Sequence, residues 1–298
     1  MKLSNSTNRF DRFIHFIGFV AVLLNISNSS SGEVTPVAST DLNPFVIQGY
    51  AELEAGNIQT ALESFDKALQ ADQSDIPALL GQARIYSGQQ RHEDAFHSYD
   101  SIVQIHPRHS EAWSGRGLAA FGLEDFDTAL SSFIQATADQ PVNGFIYESL
   151  AWIRMCRGEF NEAAETAKTA TLMYNREGEK SLYPLLIAYF SYLEAGNVED
   201  AKRTLNYAIK NNSGRKWPAP VINYLAGRID AKTLIGFVTE LAEETEAHTY
   251  IGLYLRAQGD LEKSEKHLEW VRLKGDSRVF EYTLARALNL RNRVALSN

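Results

Sequence analysis

The stretch Gly56-Asn-Ile-Gln-Thr-Ala61 decides the fold, because its pattern returns along the chain. The pattern is a glycine or a polar residue, an apolar or aromatic residue two positions on, and a small residue five positions on. Copies stand at Gly158–Ala163, Gly196–Ala201 and Gly259–Ser264, with looser copies at Gln90–Ala95 and Glu124–Ala129. Four of the small residues lie 34 positions apart: Ala61, Ala95, Ala129 and Ala163. A fixed period of this length predicts a stack of similar units, each burying its apolar side against its neighbours.

The chemistry of the pattern predicts two helices in each repeat. A glycine ends the first helix because it adopts a positive φ without steric penalty, and the small residue lets the second helix approach the first. These residues resemble the tetratricopeptide repeat, which carries a large residue early in the first helix and an aromatic or aliphatic residue in the second. The two positions hold Phe45, Leu79, Trp113, Tyr147, Leu185 and His248, and then Phe65, Tyr99, Phe133, Ala167, Leu205 and Leu268. The resemblance implies an all-α solenoid, a right-handed superhelix of helix–turn–helix repeats.

The phase of the repeat sets the expected domain boundaries. Five repeats form an array over residues 42–215, and they occupy 42–75, 76–109, 110–143, 144–177 and 182–215. A longer insertion over 216–244 is expected to contain a short helix at 229–238, with Asp230 as its N-cap. A sixth, looser repeat and a capping helix that starts at Phe280 are expected to fill 245–293.

The first 32 residues have the pattern of a secretory signal peptide. Basic residues precede the apolar run Phe13–Ile26, and the small, polar stretch Ser27–Gly32 follows it. Residues 33–41 are then a short linker. The run is short for a transmembrane helix, and an uncleaved inner-membrane anchor is the alternative. We therefore expect an exported protein, periplasmic or secreted, that contacts the membrane only if this segment stays attached.

The C-terminal part carries a second resemblance. Trp217–Gly227, Ala247–Leu261 and Phe280–Arg286 are similar to the corresponding parts of exported bacterial tetratricopeptide-repeat proteins related to lipoprotein NlpI. Proteins of that family are envelope adaptors that present proteases and cell-wall hydrolases to one another, commonly as homodimers. The resemblance implies partners of this kind and a homodimer. The chain departs from the family because no cysteine follows the apolar run, and its single cysteine is Cys156.

No pattern of residues predicts catalysis, a cofactor or a metal site. Cys156 lies near Arg154 and Arg157, which would lower the pKa of a thiol nucleophile, but no base or family signature accompanies it. His106 and His109 fall where a turn is expected, without further ligands at zinc-site spacing. The net charge of −8 argues against nucleic acid, whose phosphates require a basic surface. We therefore expect a protein that is not an enzyme.

Binding is expected on the concave side of the solenoid, which the first helices line. The residues predicted to face a ligand are Tyr50, Arg84, Leu118, Phe121, Trp152, Met155, Phe190, Leu253 and Arg256. Their apolar and aromatic character suits an amphipathic helix or a partly hydrophobic segment. The alternative is that the protein's own C-terminal helix or a second copy fills this groove.

The sequence thus predicts a non-catalytic exported scaffold that binds envelope proteins or peptides through the groove. A structural subunit of a secretion, pilus or polysaccharide-export assembly, held by an uncleaved N-terminal helix, is the alternative. An enzymatic role of Cys156 is a third interpretation.

Overall fold

The computed structural model describes residues 43–212, 214 and 216–297, and it describes side chains up to residue 289. The predicted signal peptide and linker lie outside these residues. The described part contains fifteen α-helices and no strand, so the all-α fold class is confirmed. The chain divides into two compact units, an N-terminal unit of residues 1–123 and a C-terminal unit of residues 124–298.

The N-terminal unit consists of five helices in the part that the structure describes. They are α1 (Pro44–Glu54), α2 (Ile58–Ala71), α3 (Ile76–Gly88), α4 (His92–Ile105) and α5 (Ser110–Gly122). Helix α1 packs against α2, α3 against α4, and α4 against α5. Each of the ranges predicted for the first two repeats therefore contains one pair of antiparallel helices.

The C-terminal unit contains the other ten described helices. They are α6 (Phe126–Asp139), α7 (Gly144–Arg157), α8 (Phe160–Arg176), α9 (Tyr183–Glu194), α10 (Val198–Asn211), α11 (Ala219–Leu225), α12 (Ala231–Ile235), α13 (Leu241–Ala257), α14 (Leu261–Lys274) and α15 (Phe280–Ser297). Helices α7 to α10 form two consecutive pairs, α13 and α14 form a third, and α15 packs against α7, α13 and α14. No helix among the described residues combines the length and the apolar character that a membrane span needs.

Every copy of the sequence motif places its first residue in the left-handed region of backbone space. The φ angles of Gly56, Gly158, Gly196 and Gly259 lie between 77° and 82°. In the two looser copies Gln90 and Glu124 adopt the same conformation, with φ of 56° and 61°. The turn is therefore kept where glycine is missing, although a side chain makes this conformation less favourable.

The core of the N-terminal unit is built from aromatic rings of the second helices that pack on glycines of the first helices. Phe65 of α2 is fully buried, and a Cβ on Gly49 of α1 would lie 2.5 Å from its ring. Gly81 of α3 meets the same ring from the next repeat, and Gly115 of α5 meets the buried ring of Tyr99. One ring thus joins two successive repeats, which explains why a single repeat does not bury its apolar side alone.

The core of the C-terminal unit has large rings on its first helices as well as on a second helix, where Phe133 of α6 is fully buried. Trp152 of α7, Phe190 of α9 and Tyr250 of α13 are each at most 2% exposed. The rings of Phe190 and Tyr250 are stacked with centroids 5.7 Å apart, and Trp152 stacks on Phe280 of α15 at 5.9 Å. Helix α8 supplies small residues instead, with Ala163, Ala164, Ala167 and Ala170 all buried.

The insertion before α13 is joined to that helix by a buried carboxylate. Glu246 of α13 is 4% exposed, and its Oε2 accepts a hydrogen bond of 2.7 Å from Nε1 of Trp217. The hydroxyl of Tyr183 donates to Oε1 at 3.4 Å. The peptide bond between Trp217 and Pro218 is cis. These contacts hold the start of the insertion between α9 and α13.

Three helix boundaries differ from the predicted ones. Helix α13 begins at Leu241, before the predicted start of the sixth repeat, because Ala242 and Thr245 are buried and extend its apolar side. Helix α12 is shorter than the predicted range 229–238, although Asp230 does cap it, accepting 2.8 Å from the Thr233 amide. Helix α15 continues past the predicted end at residue 293 to Ser297.

Candidate protein-binding surface

The first helices of the N-terminal unit bring Tyr50 and Arg84 into one surface. The Tyr50 ring packs edge-on against Phe65, and its hydroxyl donates to the carbonyl oxygen of Pro77 at 2.9 Å. Burial raises the pKa of Tyr50 to about 12, and the nearby Arg84 guanidinium opposes this shift. Tyr50 is therefore a neutral side chain, anchored at its ring and partly open to solvent.

Arg84 connects two successive first helices. Its Nε and Nη2 donate to Oε1 of Glu111 on α5 at 3.1 and 2.7 Å. The two side chains are 25% and 28% exposed, so the ion pair is accessible at its edge. Leu118 lies two helical turns beyond Glu111 on α5, hence on the same side of that helix, and it is half-buried. We call Tyr50, Arg84, Glu111 and Leu118 the N-terminal face.

In the C-terminal unit the side chains predicted for the groove lie inside the protein. Trp152, Met155, Phe190 and Leu253 are each at most 2% exposed. Helix α15 covers α7 and α13, with Phe280 stacked on Trp152 and the Glu281 carboxylate accepting 2.6 Å from the Tyr250 hydroxyl. A ligand-binding role of these residues stays a prediction. In this conformation their contacts are with other parts of the same chain.

The remaining two predicted residues also make contacts within the chain. Phe121 at the end of α5 is 6% exposed. Arg256 of α13 is half-buried, and its Nε donates to Oε1 of Glu194 on α9 at 3.0 Å. Of the nine predicted residues, the structure thus keeps Tyr50, Arg84, Leu118 and Arg256 partly exposed and buries the other five.

Two of the residues considered for catalysis or metal binding have roles in the fold. Cys156 is buried in α7, at 3% exposure. His109 caps α5, because its Nδ1 accepts a hydrogen bond of 3.2 Å from the Ala112 amide. Within the described residues no group of three or more histidine, cysteine, aspartate or glutamate side chains is arranged to hold a metal ion.

A solvent-open cavity of about 170 Å³ lies beside residues 178–181, which separate the fourth and fifth predicted repeats. Its walls come from α8, α10 and the segments that follow them. Its polar lining includes Thr171, Asn175, Lys180, Ser181, Tyr207 and Asn211. None of the nine predicted groove residues lines this cavity, so it is a separate feature that the sequence pattern did not indicate.

The comparison with protein families identifies the repeated element. Residues 52–119 match one family model described as tetratricopeptide repeat, and residues 114–171 match a second. The repeats within residues 52–171 are tetratricopeptide repeats. The matches span the looser motifs at Gln90 and Glu124, where the backbone conformation is retained without glycine.

Solved structures share the fold of these repeats at low sequence identity. A tetratricopeptide-repeat protein from Parabacteroides merdae superimposes with a TM-score of 0.59 and 16% identity, over 82% of this chain and 96% of that one. YrrB, a tetratricopeptide-repeat protein with an unusual peptide-binding site, gives 0.55 and 18%, over 63% and 93%. MamA gives 0.54 and 18%, over 62% and 94%. Identities this low show the fold alone, and they confirm a tetratricopeptide-repeat solenoid.

One curated relative matches in sequence. Human tetratricopeptide repeat protein 33 is 26% identical over 123 residues, which is 41% of this chain and 47% of the relative. The matched region therefore spans about half the length of that protein. The repeat type is typical of scaffolds that bind proteins or peptides, and this general role is what the comparisons support.

Proposed function

We propose that the protein is a non-catalytic scaffold that binds a protein or peptide segment on the N-terminal face. The observation that carries this proposal is the exposure of Tyr50, Arg84 and Leu118 at the position where the C-terminal unit has buried rings. Side chains of the first helices form the surface that a solenoid of helix pairs offers to a ligand. The structure of the N-terminal unit leaves this surface partly accessible.

The chemistry of the face favours a segment with both apolar and polar side chains. Leu118 and the Tyr50 ring offer apolar contact area, and the edge of the Arg84–Glu111 pair offers one donor and one acceptor group. The pair is neutral as a whole, so a highly charged ligand gains little from it. An amphipathic helix or an extended, partly hydrophobic peptide meets these requirements.

We further propose that the partner is an envelope protein and that the scaffold works outside the cytoplasm, in the periplasm or after secretion. The pattern of residues 1–32 and the similarity of the C-terminal part to NlpI-like proteins support this setting. The same similarity supports a protease or a cell-wall hydrolase as the partner and a homodimer as the assembly. Mass spectrometry of the N-terminus of the protein isolated from cells tests export. A new N-terminus near residue 33 is expected, whereas an intact Met1 on a soluble cytosolic protein would contradict it.

Binding is tested by affinity capture from the envelope fraction, followed by calorimetry with the purified partner. The test variant is Arg84→Ala, and the matched control is Arg116→Ala. Arg116 of α5 also forms a half-buried ion pair with a neighbouring helix, at 2.6 Å from Asp100 of α4, but it is not part of the N-terminal face. Both variants lose one ion pair of similar exposure, and Arg116→Ala also loses the contacts of the guanidinium with the Phe96 and Trp113 rings. Thermal unfolding of both variants is therefore measured beside their binding.

We expect Arg84→Ala to weaken partner binding by about tenfold, as loss of a well-placed contact in an interface does, and Arg116→Ala to leave it nearly unchanged. Leu118→Asp, which puts a charge on the same face, should weaken binding further. Equal affinity of all three variants and the wild type would show that the partner binds elsewhere. A partner that binds only the C-terminal unit would give this same result of equal affinities.

A further inference from the structure

The last helix pair contains two histidines whose side chains meet directly. His248 on α13 and His267 on α14 form a hydrogen bond between their Nδ1 atoms, 3.1 Å apart, in which the tautomer decides which ring donates. Their ring centroids lie 4.9 Å apart and their planes are inclined by 48°. The Trp270 ring stacks on His248 with centroids 4.1 Å apart and an angle of 15°. All three side chains are half-buried. The pair therefore lies near the surface, with one ring fixed in place by an aromatic neighbour.

We propose that His248 and His267 bind one borderline transition-metal ion, such as Cu(II) or Zn(II), through their Nδ1 atoms. Two nitrogens that each lie about 2.0–2.1 Å from one ion are about 2.8–3.4 Å apart for angles between a right angle and a tetrahedral angle. The observed separation of 3.1 Å falls within this range. Only small rotations of the two rings are needed to bring both nitrogens to one ion.

The surroundings of the pair favour the metal-binding form of histidine. Imidazole binds metal ions only when it is neutral. Burial lowers the pKa of His248 to about 4, with the neighbouring His267 adding to the shift, and burial also lowers the pKa of His267. Both rings are therefore neutral near pH 7. The ring that donates in the Nδ1–Nδ1 hydrogen bond has to carry its proton on Nε2 instead when both Nδ1 atoms bind the ion. Stacking on Trp270 restricts the rotation of His248, so less freedom is lost on binding.

The donor set indicates which ions fit. Two imidazoles suit copper, nickel and zinc, whereas calcium and magnesium prefer oxygen donors. Among divalent ions of this series, Cu(II) binds nitrogen donors most tightly. The pair supplies two ligands, and no group of three or more metal-binding side chains occurs in the described part of the chain. Water fills the other coordination positions, so binding is reversible rather than a requirement for folding.

The chain contains a matched control pair. His106 and His109 also lie close in sequence and space, with ring centroids 6.0 Å apart. Nδ1 of His109 is already occupied by the Ala112 amide, so this pair lacks two converging acceptor nitrogens. Replacing His106 removes a histidine without touching the proposed site.

The test is a titration of the full-length protein, prepared without a histidine tag, with CuCl2 while tryptophan fluorescence is recorded. Bound Cu(II) quenches a nearby indole, and Trp270 is in van der Waals contact with a proposed ligand. We expect saturable quenching with one ion per chain, reversed by EDTA, and a higher Tm with ZnCl2. Both effects should be retained in His106→Ala and lost in His248→Gln and His267→Gln.

Glutamine retains hydrogen-bonding groups, and circular dichroism reports whether each variant folds. If the glutamine variants unfold, Trp270→Phe provides the second measurement, since it should keep the zinc-induced increase in Tm but lose most of the quenching. Quenching that does not saturate, or that is unchanged in both glutamine variants, would overturn the proposal. An unchanged Tm in the presence of zinc together with calorimetry that detects no bound copper would do the same.

Discussion

The two units use the same repeat, but among the described residues only the C-terminal unit has fully buried rings on its first helices. In the N-terminal unit the buried rings of Phe65 and Tyr99 belong to second helices and pack on first-helix glycines. In the C-terminal unit Trp152, Phe190 and Tyr250 belong to first helices and pack on one another and on α15. The first helices thus form a partly open surface in one unit and the interior of the other.

This difference follows from what each first helix is able to bury. A first helix with glycine at the contact lets the ring of a second helix pack closely against it. Such a helix exposes only a moderate apolar area on its opposite side. A first helix that carries Trp152 or Phe190 exposes a large apolar area unless another element covers it, and exposed patches of that size are unfavourable in water. Phe280 of α15 covers Trp152, and the stacked ring of Tyr250 on α13 covers Phe190. Leu284 and Leu288 of α15 are buried as well.

The largest effect on stability is expected when the ring that α15 covers is removed. Trp152→Ala deletes a fully buried indole and its stacking partner contact, so the C-terminal unit should lose about 3–5 kcal/mol of unfolding free energy. Urea denaturation measures the loss, and hydrogen exchange should show faster exchange in α7 and α15. Leu118→Ala in the N-terminal unit, where the side chain is half-buried, should cost about 1 kcal/mol.

A different outcome would change the interpretation of the C-terminal unit. If Trp152→Ala kept normal stability and normal exchange in α15 but lost partner binding, Trp152 would face a ligand, as the sequence pattern predicted. The comparison between an open and a covered set of first helices would then fail.

The next prediction concerns the glycines that receive the rings of the N-terminal unit. In Gly49→Ala the new Cβ would lie 2.5 Å from the Phe65 ring, so the helices have to separate, and we expect a loss of about 1–3 kcal/mol. Gly88→Ala is the control, since no atom lies within 4 Å of a Cβ there. It should leave stability unchanged or raise it by about 0.5–1 kcal/mol. Thermal unfolding of the two variants distinguishes them, and equal losses would show that the ring does not need the glycine.

The repeat made most of the fold predictable from the sequence. The period of 34 located the turns, and the positive φ angles at Gln90 and Glu124 show that the phase holds even where the deciding glycine is absent. The boundaries that differ, such as the start of α13, depend on burial of Ala242 and Thr245, which local patterns do not report. The repeat period therefore located the helices, and tertiary packing determined where they end.

The candidate sites were predictable only in part, for a physical reason. The phase of the repeat identifies which side chains belong to the first-helix side, but whether that side is open depends on a contact between Trp152 and Phe280, which are distant in sequence. The pair of His248 and His267 was missed for a similar reason. His248 stands at the first-helix position that holds a large residue in most other repeats, and His267 at a position where the other second helices have serine or threonine. Their spacing matches no metal-binding motif.

Each unit contains a tyrosine on a first helix whose hydroxyl donates one hydrogen bond, and the two bonds differ in burial. The Tyr250 hydroxyl donates to the fully buried Glu281 at 2.6 Å, whereas the Tyr50 hydroxyl donates to the Pro77 carbonyl at 2.9 Å in a partly exposed place. Tyr250→Phe leaves a buried carboxylate with one donor fewer, which should cost about 1–3 kcal/mol. Tyr50→Phe should cost about 0.5–1.5 kcal/mol, because water reaches the carbonyl. The two losses are measured by urea denaturation. If Tyr50→Phe cost more, the N-terminal face would be less open than its exposure indicates.

The smallest losses of stability are expected for the two arginines that the repeat phase assigned to one groove. Arg84 pairs with Glu111 and Arg256 with Glu194, in both cases between two first helices and with similar exposure of the arginine. Since half-exposed ion pairs contribute little, Arg84→Ala and Arg256→Ala should each cost about 1 kcal/mol or less. Their effects on binding should differ, because only Arg84 lies beside side chains that remain open. Calorimetry with the captured partner is expected to show weaker binding for Arg84→Ala alone. Equal weakening by Arg256→Ala would mean that the ligand also contacts the first helices of the C-terminal unit, which requires α15 to cover less of them than the structure shows.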